Sequence, residues 1–214
     1  MTKTFLSHCK GSRFRLVGER VWLRPLTVND ATGRYLSWLN NTQVNEYSSR
    51  SGKTFNKQDV VDFISSANNS EERLLLGIFT KDDDRHIGNL QITIIDLLCG
   101  IADIANLIGE REYWGKGVIK DADSQAVHFG FTALRINKFI MGNIAPHRAS
   151  TFKSRSLGAK LEGRLRNHAM HNEQLVDVLR FGLLEEEFCS KFSHLVGRPT
   201  WTPNNVSALI RKTT

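Results

Sequence analysis

Polar and apolar side chains alternate over residues 19–26, the period of a half-buried strand. Thr27-Val28-Asn29-Asp30 follows with the spacing of a capping box. With Thr27 as N-cap it predicts a helix through Trp38 and Leu39, ended by Asn40-Asn41. Residues 44–57 keep no period and are expected to be loop, with a helical turn near 44–47. Val60, Val61, Phe63 and Ile64 recur at helical spacing, which predicts a second helix over 58–67 with Asn56 as N-cap.

Three apolar runs of strand length come next, 73–80, 86–98 and 101–108. A charged turn, Lys81-Asp82-Asp83-Asp84-Arg85, and Cys99-Gly100 separate them, and such short connections predict an antiparallel meander. Residues 118, 122, 126, 129 and 133 form one apolar stripe, so 118–134 reads as a helix. A short strand over 137–141 and a helix over 148–157 stopped by Gly158 follow. Strands over 160–169 and 174–184 are joined at His171-Asn172-Glu173, and 185–195 is helical. The residues after Gly197 are expected to be an irregular tail. This order predicts an α+β fold with a mixed, mostly antiparallel central sheet flanked by helices. The expected organisation is an arm (1–18), one domain (19–188) and a C-terminal helix and tail (189–214).

Composition narrows the class. With 40% hydrophobic and 24% charged residues, the chain of 214 residues has the balance of a folded globular protein. No apolar run has the length of a membrane span, and the first ten residues lack a signal-peptide core. Cys9, Cys99 and Cys189 are odd in number and far apart, so neither a disulfide framework nor a metal-ligand pair is expected. A reducing, cytoplasmic location and no metal follow as expectations. The net charge of +7 favours polyanionic partners, a nucleic acid or a highly phosphorylated cofactor. The basic residues are spread out apart from a cluster over 147–166, with no stacking platform, so nucleic-acid binding is not expected as the main function.

The chemistry concentrates in Gly109-Glu110-Arg111-Glu112-Tyr113-Trp114-Gly115-Lys116-Gly117, between a predicted strand and a predicted helix. A glycine-rich turn there can aim several backbone N–H groups at one point, reinforced by the helix dipole, which suits a phosphate or pyrophosphate. An ordinary tight connection with two glycines is the alternative. No G-x-x-x-x-G-K-[ST] pattern is present, and Lys120 stands where a dinucleotide fingerprint would have its third glycine.

At this point the chain resembles the GNAT acyltransferase superfamily, and within it the ribosomal-protein-alanine acetyltransferases and their small-molecule relatives. The motifs are Leu23-Arg24-Pro25-Leu26 with Asp30, Trp38-Leu39-Asn40 with Val44, Gly77-Ile78-Phe79 and His86-Ile87-Gly88-Asn89. Ala102-Asp103-Ile104, Leu107-Ile108-Gly109 and Tyr113-Trp114-Gly115-Lys116-Gly117 complete them, over about residues 19–188. The resemblance implies an N-acetyltransferase that moves an acetyl group from acetyl-coenzyme A, its co-substrate, to a small-molecule or peptide amine. It implies that Leu107 and Ile108 pair with the pantetheine arm. Trp114, Gly115, Lys116, Gly117 and Val118 would cradle the pyrophosphate, and Lys120 would add a point charge for phosphate. A homodimer is also expected from the family.

The resemblance further implies that Asp103 takes the proton of the attacking amine, through a water, and that Ser150 protonates the departing thiolate. His147 replaces the family's usual Asn and is expected to orient the cofactor. Other departures are Glu112 for Gln or Arg, Ala105-Asn106 for Gly-Tyr, and the absence of a tyrosine in 152–159. They keep open a non-catalytic acetyl-coenzyme A sensor, and the charge keeps open a ribosome- or nucleic-acid-associated module. Each carboxylate or hydroxyl also has a plain surface reading, and Trp22, Trp38 and Trp114 are expected to be core or packing residues rather than ligand stackers.

Overall fold

The computed structural model describes residues 6, 9, 10, 13–48, 51–198 and 201. Eight strands form one sheet: β1 (Leu16–Val17), β2 (Val21–Pro25), β3 (Arg73–Thr80), β4 (His86–Asp96), β5 (Ile101–Ile108), β6 (Lys138–Ile144), β7 (Lys160–His171) and β8 (Gln174–Leu184). Their order is β1-β2-β3-β4-β5-β6-β8-β7. Every neighbouring pair is antiparallel except β5–β6, which is parallel. The mixed, mostly antiparallel sheet and the β3–β5 meander are as the sequence predicts.

Helices α1 (Gly33–Leu39) and α2 (Lys57–Asn69) cover one face. Their Tyr35, Trp38, Val60 and Ile64 bury against Leu75 and Phe79 of β3. On the other face lie α3 (Val118–Thr132), α4 (Arg148–Ser156) and α5 (Glu185–Lys191). There Ala122, Ala126 and Phe129 of α3 and Phe188 of α5 meet Ile92, Ala102, Ile104, Phe139 and Phe181. The stripe 118, 122, 126, 129 and 133 is buried at every position.

Three elements depart from the reading of the sequence. The Thr27 N–H and hydroxyl both donate to the Asp30 carboxylate, yet the motif closes only a 3-10 turn, Val28–Asp30. The guanidinium of Arg24 also holds Asp30, at 2.7 and 2.6 Å, and the chain turns at Ala31, so α1 starts afresh at Gly33 with Thr32 as N-cap. Strand β6 runs three residues past the expected Met141, because β8 pairs with it as far as Ile144. And α5 ends at Lys191, followed by a separate 3-10 turn, Ser193–Leu195. The β7–β8 turn has both Asn172 and Glu173 at positive φ, 48° and 62°, as a two-residue hairpin needs. The expected tail after Gly197 lies, apart from Arg198 and Trp201, outside the described residues, as do most of residues 1–12.

Candidate active site

Strands β5 and β6 share only three rungs: Ile101 with Lys138, Ala102 with Phe139, and Asp103 with Ile140. Beyond them β5 continues to Ile108 paired with β4 alone, and β6 continues to Ile144 paired with β8 alone. The sheet therefore forks at Asp103 and leaves a wedge. One wall is the edge of β5 from Ile104 to Ile108, whose outward N–H and C=O groups have no strand partner. An extended chain with its own amides can complete such an edge.

At the mouth of the wedge, the glycine loop is fixed by Glu110. Its carboxylate accepts from Trp38 Nε1 at 2.9 Å and from Arg85 Nη2 at 2.5 Å. A Cβ at Gly109 would overlap the Trp38 indole, so glycine is required there for this close approach. Gly115 and Gly117 have φ of 72° and 79° with open space around them; backbone conformation, not crowding, selects glycine. Gly117 is the N-cap of α3 and has no side chain to cap it. Among the described residues the first amides of this 15-residue helix have no side-chain cap, an arrangement suited to an anion. Trp114 lies outside the core: it is 44% exposed, and its Nε1 donates to the Ile108 carbonyl at 2.9 Å. It caps the last carbonyl of β5 because the loop turns its ring back over the strand end.

Side chains alternate along β5, so Asp103, Ala105 and Leu107 share the face covered by α1 and α2. Asp103 is half-buried at the fork, and its carboxylate enters no hydrogen bond or ion pair among the described residues. Burial raises its pKa above the ordinary carboxylate range, against the opposing pull of Arg180 and Lys153. Arg180 of β8 lies across Gly142, its Nη1 3.0 Å from where a Cβ would stand. Ala105 is exposed in the cleft, whereas Asn106 points to the opposite face.

That opposite face holds groups which sequence reasoning missed. Asn106 Nδ2 donates to Asp123 Oδ1 at 2.6 Å, and Lys153 Nζ stands 3.4 Å from Asp123 Oδ2. Asp123 is fully buried, and burial raises its pKa while Lys153 and then Asn106 oppose the rise. Its α3 neighbours Ser124, Gln125 and His128 are buried too, because α5 and the segment after it cover what looks in sequence like a solvent face. Ser150 Oγ donates to Asn143 Oδ1 at 2.5 Å, and Asn143 Nδ2 donates to Ser154 Oγ at 2.9 Å. Ser154 Oγ in turn donates to the Ser150 carbonyl at 3.1 Å. Ser150 is thus held on α4, across the wedge from β5. No signal in the sequence singles out Asn143 or Ser154; their pairing depends on β6 and α4 meeting in space.

His147 stands just before α4. It stacks on Tyr47 with ring centroids 4.3 Å apart and planes 10° apart. The same Tyr47 stacks on His171 at 5.1 Å and 23°. The turn after α1 is thereby joined to the start of α4 and to the β7–β8 turn. Burial, with Lys153 and His171 nearby, lowers the His147 pKa, against the pull of Glu46. Among the described residues no three His, Cys, Asp or Glu side chains gather as a metal would need, and no helix is long and apolar enough to cross a membrane.

Comparison with known proteins agrees with this geometry. Residues 20–160 match the model of the acetyltransferase (GNAT) domain. The N-acetyltransferase p20 of Bacillus licheniformis, itself uncharacterized, is 30% identical over 176 residues, which is 81% of this chain and 97% of that one. The spermidine N-acetyltransferase of Vibrio cholerae, solved with CoA and spermine, superposes with a TM-score of 0.71 at 18% identity. The match covers 78% of this chain and 97% of that one. The microcin C7 self-immunity acetyltransferase MccE, solved with acetyl-CoA and AMP, gives 0.71 at 21% identity over 83% and 99%. These two structures share the fold.

Proposed function

The chain belongs to the GNAT acetyltransferase family, and we propose that it transfers the acetyl group of acetyl-coenzyme A to a primary amine, on a small molecule or a peptide. The observation that carries this is the fork at Asp103, which opens a hydrogen-bonding edge leading straight to an uncapped helix start. The residues fit the carrier. The edge around Leu107 and Ile108 would hold the pantetheine arm. The amides of Trp114, Gly115, Lys116, Gly117 and Val118 would hold the pyrophosphate. Acetyl-coenzyme A supplies an activated acyl group when bound.

In this reading Asp103 is the base. Its raised pKa makes it a better acceptor than a solvated carboxylate, and its lack of a bonded partner leaves both oxygens for a water or an amine. Ser150 is the proton donor to the leaving thiolate, and Asn143 and Ser154 hold it in place. His147 positions the acceptor side through its stack on Tyr47 rather than by touching the carrier.

The acceptor is the finer question. Arg180 and Lys153 both act on Asp103, so the cleft is not the acidic funnel a polyamine would call for. That supports an amino sugar or a peptide amine. The Leu23–Leu26 and Tyr113–Gly117 motifs support the branch of ribosomal-protein-alanine acetyltransferases and their small-molecule relatives. The test is a thermal shift with acetyl-coenzyme A and with coenzyme A, followed by thiol release over peptides, glucosamine and spermidine. A raised melting temperature must accompany selective binding to the folded state. Thiol release that depends on an amine supports transfer. A shift without turnover on any amine would favour the sensor, and no shift at millimolar cofactor would remove the reading.

A further inference from the structure

Arg180 shares a face of the sheet with Asp103. Asp103 is in register with Ile140 of β6, and Gly142, two residues on, is in register with Arg180 of β8. Residues two apart on a strand point the same way, so all four side-chain positions lie on the face of α1 and α2. Glycine at 142 lets the Arg180 guanidinium lie over β6 towards the fork. Two residues of strand span about 7 Å, so the guanidinium and the Asp103 carboxylate stand a small molecule apart. Gly142 and Ala105 flank the wedge just past its last rung. Both are exposed, and together they contribute one methyl group to the floor of the cleft.

The cations around Arg180 are matched with acids. Lys138 Nζ meets Glu162 at 2.6 Å, Lys160 Nζ meets Glu187 at 2.8 Å, and Arg164 pairs with Asp177. Arg180 itself is exposed, donates no hydrogen bond and enters no ion pair among the described residues. Glu162 lies over Gly182, close by on the same face, but it is held by Lys138. On the β4 side of Asp103 the polar groups are neutral and bonded to each other: Gln91 Nε2 donates to Thr93 Oγ1 at 2.9 Å. Lys153 is engaged by Asp123 on the opposite face.

We propose that Arg180 holds a carboxylate of the acceptor, so that the reacting amine and an acid group lie a few bonds apart on one molecule. This rests on the acyl-transfer reading of the wedge and narrows its acceptor. A guanidinium presents its donors as a planar fork that matches a carboxylate with two parallel hydrogen bonds. An acceptor gripped there turns its amine towards Asp103. One unmatched cation suits one single charge, whereas a phosphate dianion would call for a second. Two kinds of acceptor carry this chemistry: a free amino acid, through its α-carboxylate, and a peptide with an acidic first residue, through its side chain. A polyamine and an unmodified amino sugar lack it.

The experiment uses pairs of acceptors that differ in the acid group. Alanine, serine, leucine and phenylalanine are set against their amides, and aspartyl-alanine amide against asparaginyl-alanine amide. Thiol release from acetyl-coenzyme A is followed for the wild-type chain and for Arg180→Gln, which should fold because the site is exposed. Calorimetry with the chain saturated with coenzyme A reads acceptor binding without turnover. The acid-to-amide ratio of kcat/KM should fall by about 10- to 100-fold in the variant, the value of a hydrogen bond to a charged group. Arg180→Lys should keep part of it. The members of a pair also differ in amine basicity, which the comparison of wild type with variant cancels. An altered titration of Asp103 would touch both members alike, so it cannot imitate the result. An unchanged ratio would overturn the proposal, as would thiol release with glucosamine or spermidine and with no acid of the panel; both leave acyl transfer intact. Release with no amine at all, beside binding of the acids that Arg180→Gln weakens, would remove the transfer reading and keep the carboxylate site. Neither release nor binding would overturn the proposal as well.

Discussion

The Ser150 hydroxyl donates to the Asn143 amide oxygen at 2.5 Å, and Asn143 is itself fixed by donating to Ser154. A serine held this way must turn its hydroxyl away from Asn143 to give its proton to a thiolate. Ser150→Ala is expected to lower kcat by about 10²-fold, the lower end of what general acid–base catalysis contributes, with little change in the KM for acetyl-coenzyme A. It should also cost about 1 kcal/mol of stability, since the Asn143 oxygen loses its donor. Steady-state thiol release and denaturant unfolding read the two effects, and Ser150→Thr, which keeps a hydroxyl, should restore part of the rate.

Asp103 separates catalysis from stability. Its folded pKa is raised by burial, so folding disfavours its ionised form. Its contribution to stability is complete below the unfolded carboxylate pKa and is lost as pH rises through the folded one. Asp103→Asn should therefore leave the melting temperature at neutral pH unchanged or higher while kcat/KM falls by about 10²- to 10⁴-fold. The rising limb of the pH–rate profile, which the wild-type protein should show above the ordinary carboxylate range, should vanish in the variant. A variant that loses melting temperature in step with activity would make Asp103 structural.

The Asp123–Lys153 pair lies between α3 and α4 with one partner fully buried. Removing Asp123 alone strands a cation. Asp123→Leu alone is expected to destabilise by about 3 kcal/mol, and Lys153→Met alone by a comparable amount. The double variant Asp123→Leu with Lys153→Met should recover much of the loss, because an apolar pair replaces two desolvated charges. Denaturant unfolding of the four proteins closes the cycle; additive losses would mean the two side chains do not interact.

Acid should act through histidine. Burial lowers the pKa of His86, against the opposing pull of Asn89, and lowers that of His147 as well. For a group whose folded pKa is depressed, the stability is present above the unfolded value, about 6.5, and is lost as pH falls through the folded one. The melting temperature should fall between about pH 7.5 and about pH 5, the interval around that ordinary pKa. His147→Phe keeps a ring for Tyr47 to stack on and removes one titration, so its loss over the same interval should be smaller. An equal loss in both proteins would assign the acid sensitivity elsewhere.

Much of this was legible in the residues because it is local. Period and turn chemistry suffice for the β3–β5 meander, for α2 with Asn56 as its cap, and for the glycine loop. The rest is relational. A two-residue strand such as β1 has no period to read. Gly142-Asn143 interrupts the apolar run of β6, and only pairing with β8 shows that the strand continues. Asp123, Ser124, Gln125 and His128 fall outside the apolar stripe of α3; a segment some sixty residues downstream covers the last three, and Asn106 with Lys153 closes in Asp123. Tyr47, His147 and His171 come from three separate connections, and no spacing announces that they stack.

The three-rung pairing of β5 and β6 has a consequence for handling the protein. A strand edge left open inside a sheet is indiscriminate: it can accept any extended backbone of suitable length, including that of a neighbouring molecule. Natural sheets guard their outer edges with charge, proline or short strands, but the residues from Ile104 to Ile108 carry none of the charged or proline guards. Occupancy itself would then be the guard. Purified without coenzyme A, the chain should scatter light and precipitate sooner on storage than when saturated with it, and the difference should shrink if a lysine is placed at the exposed Ala105.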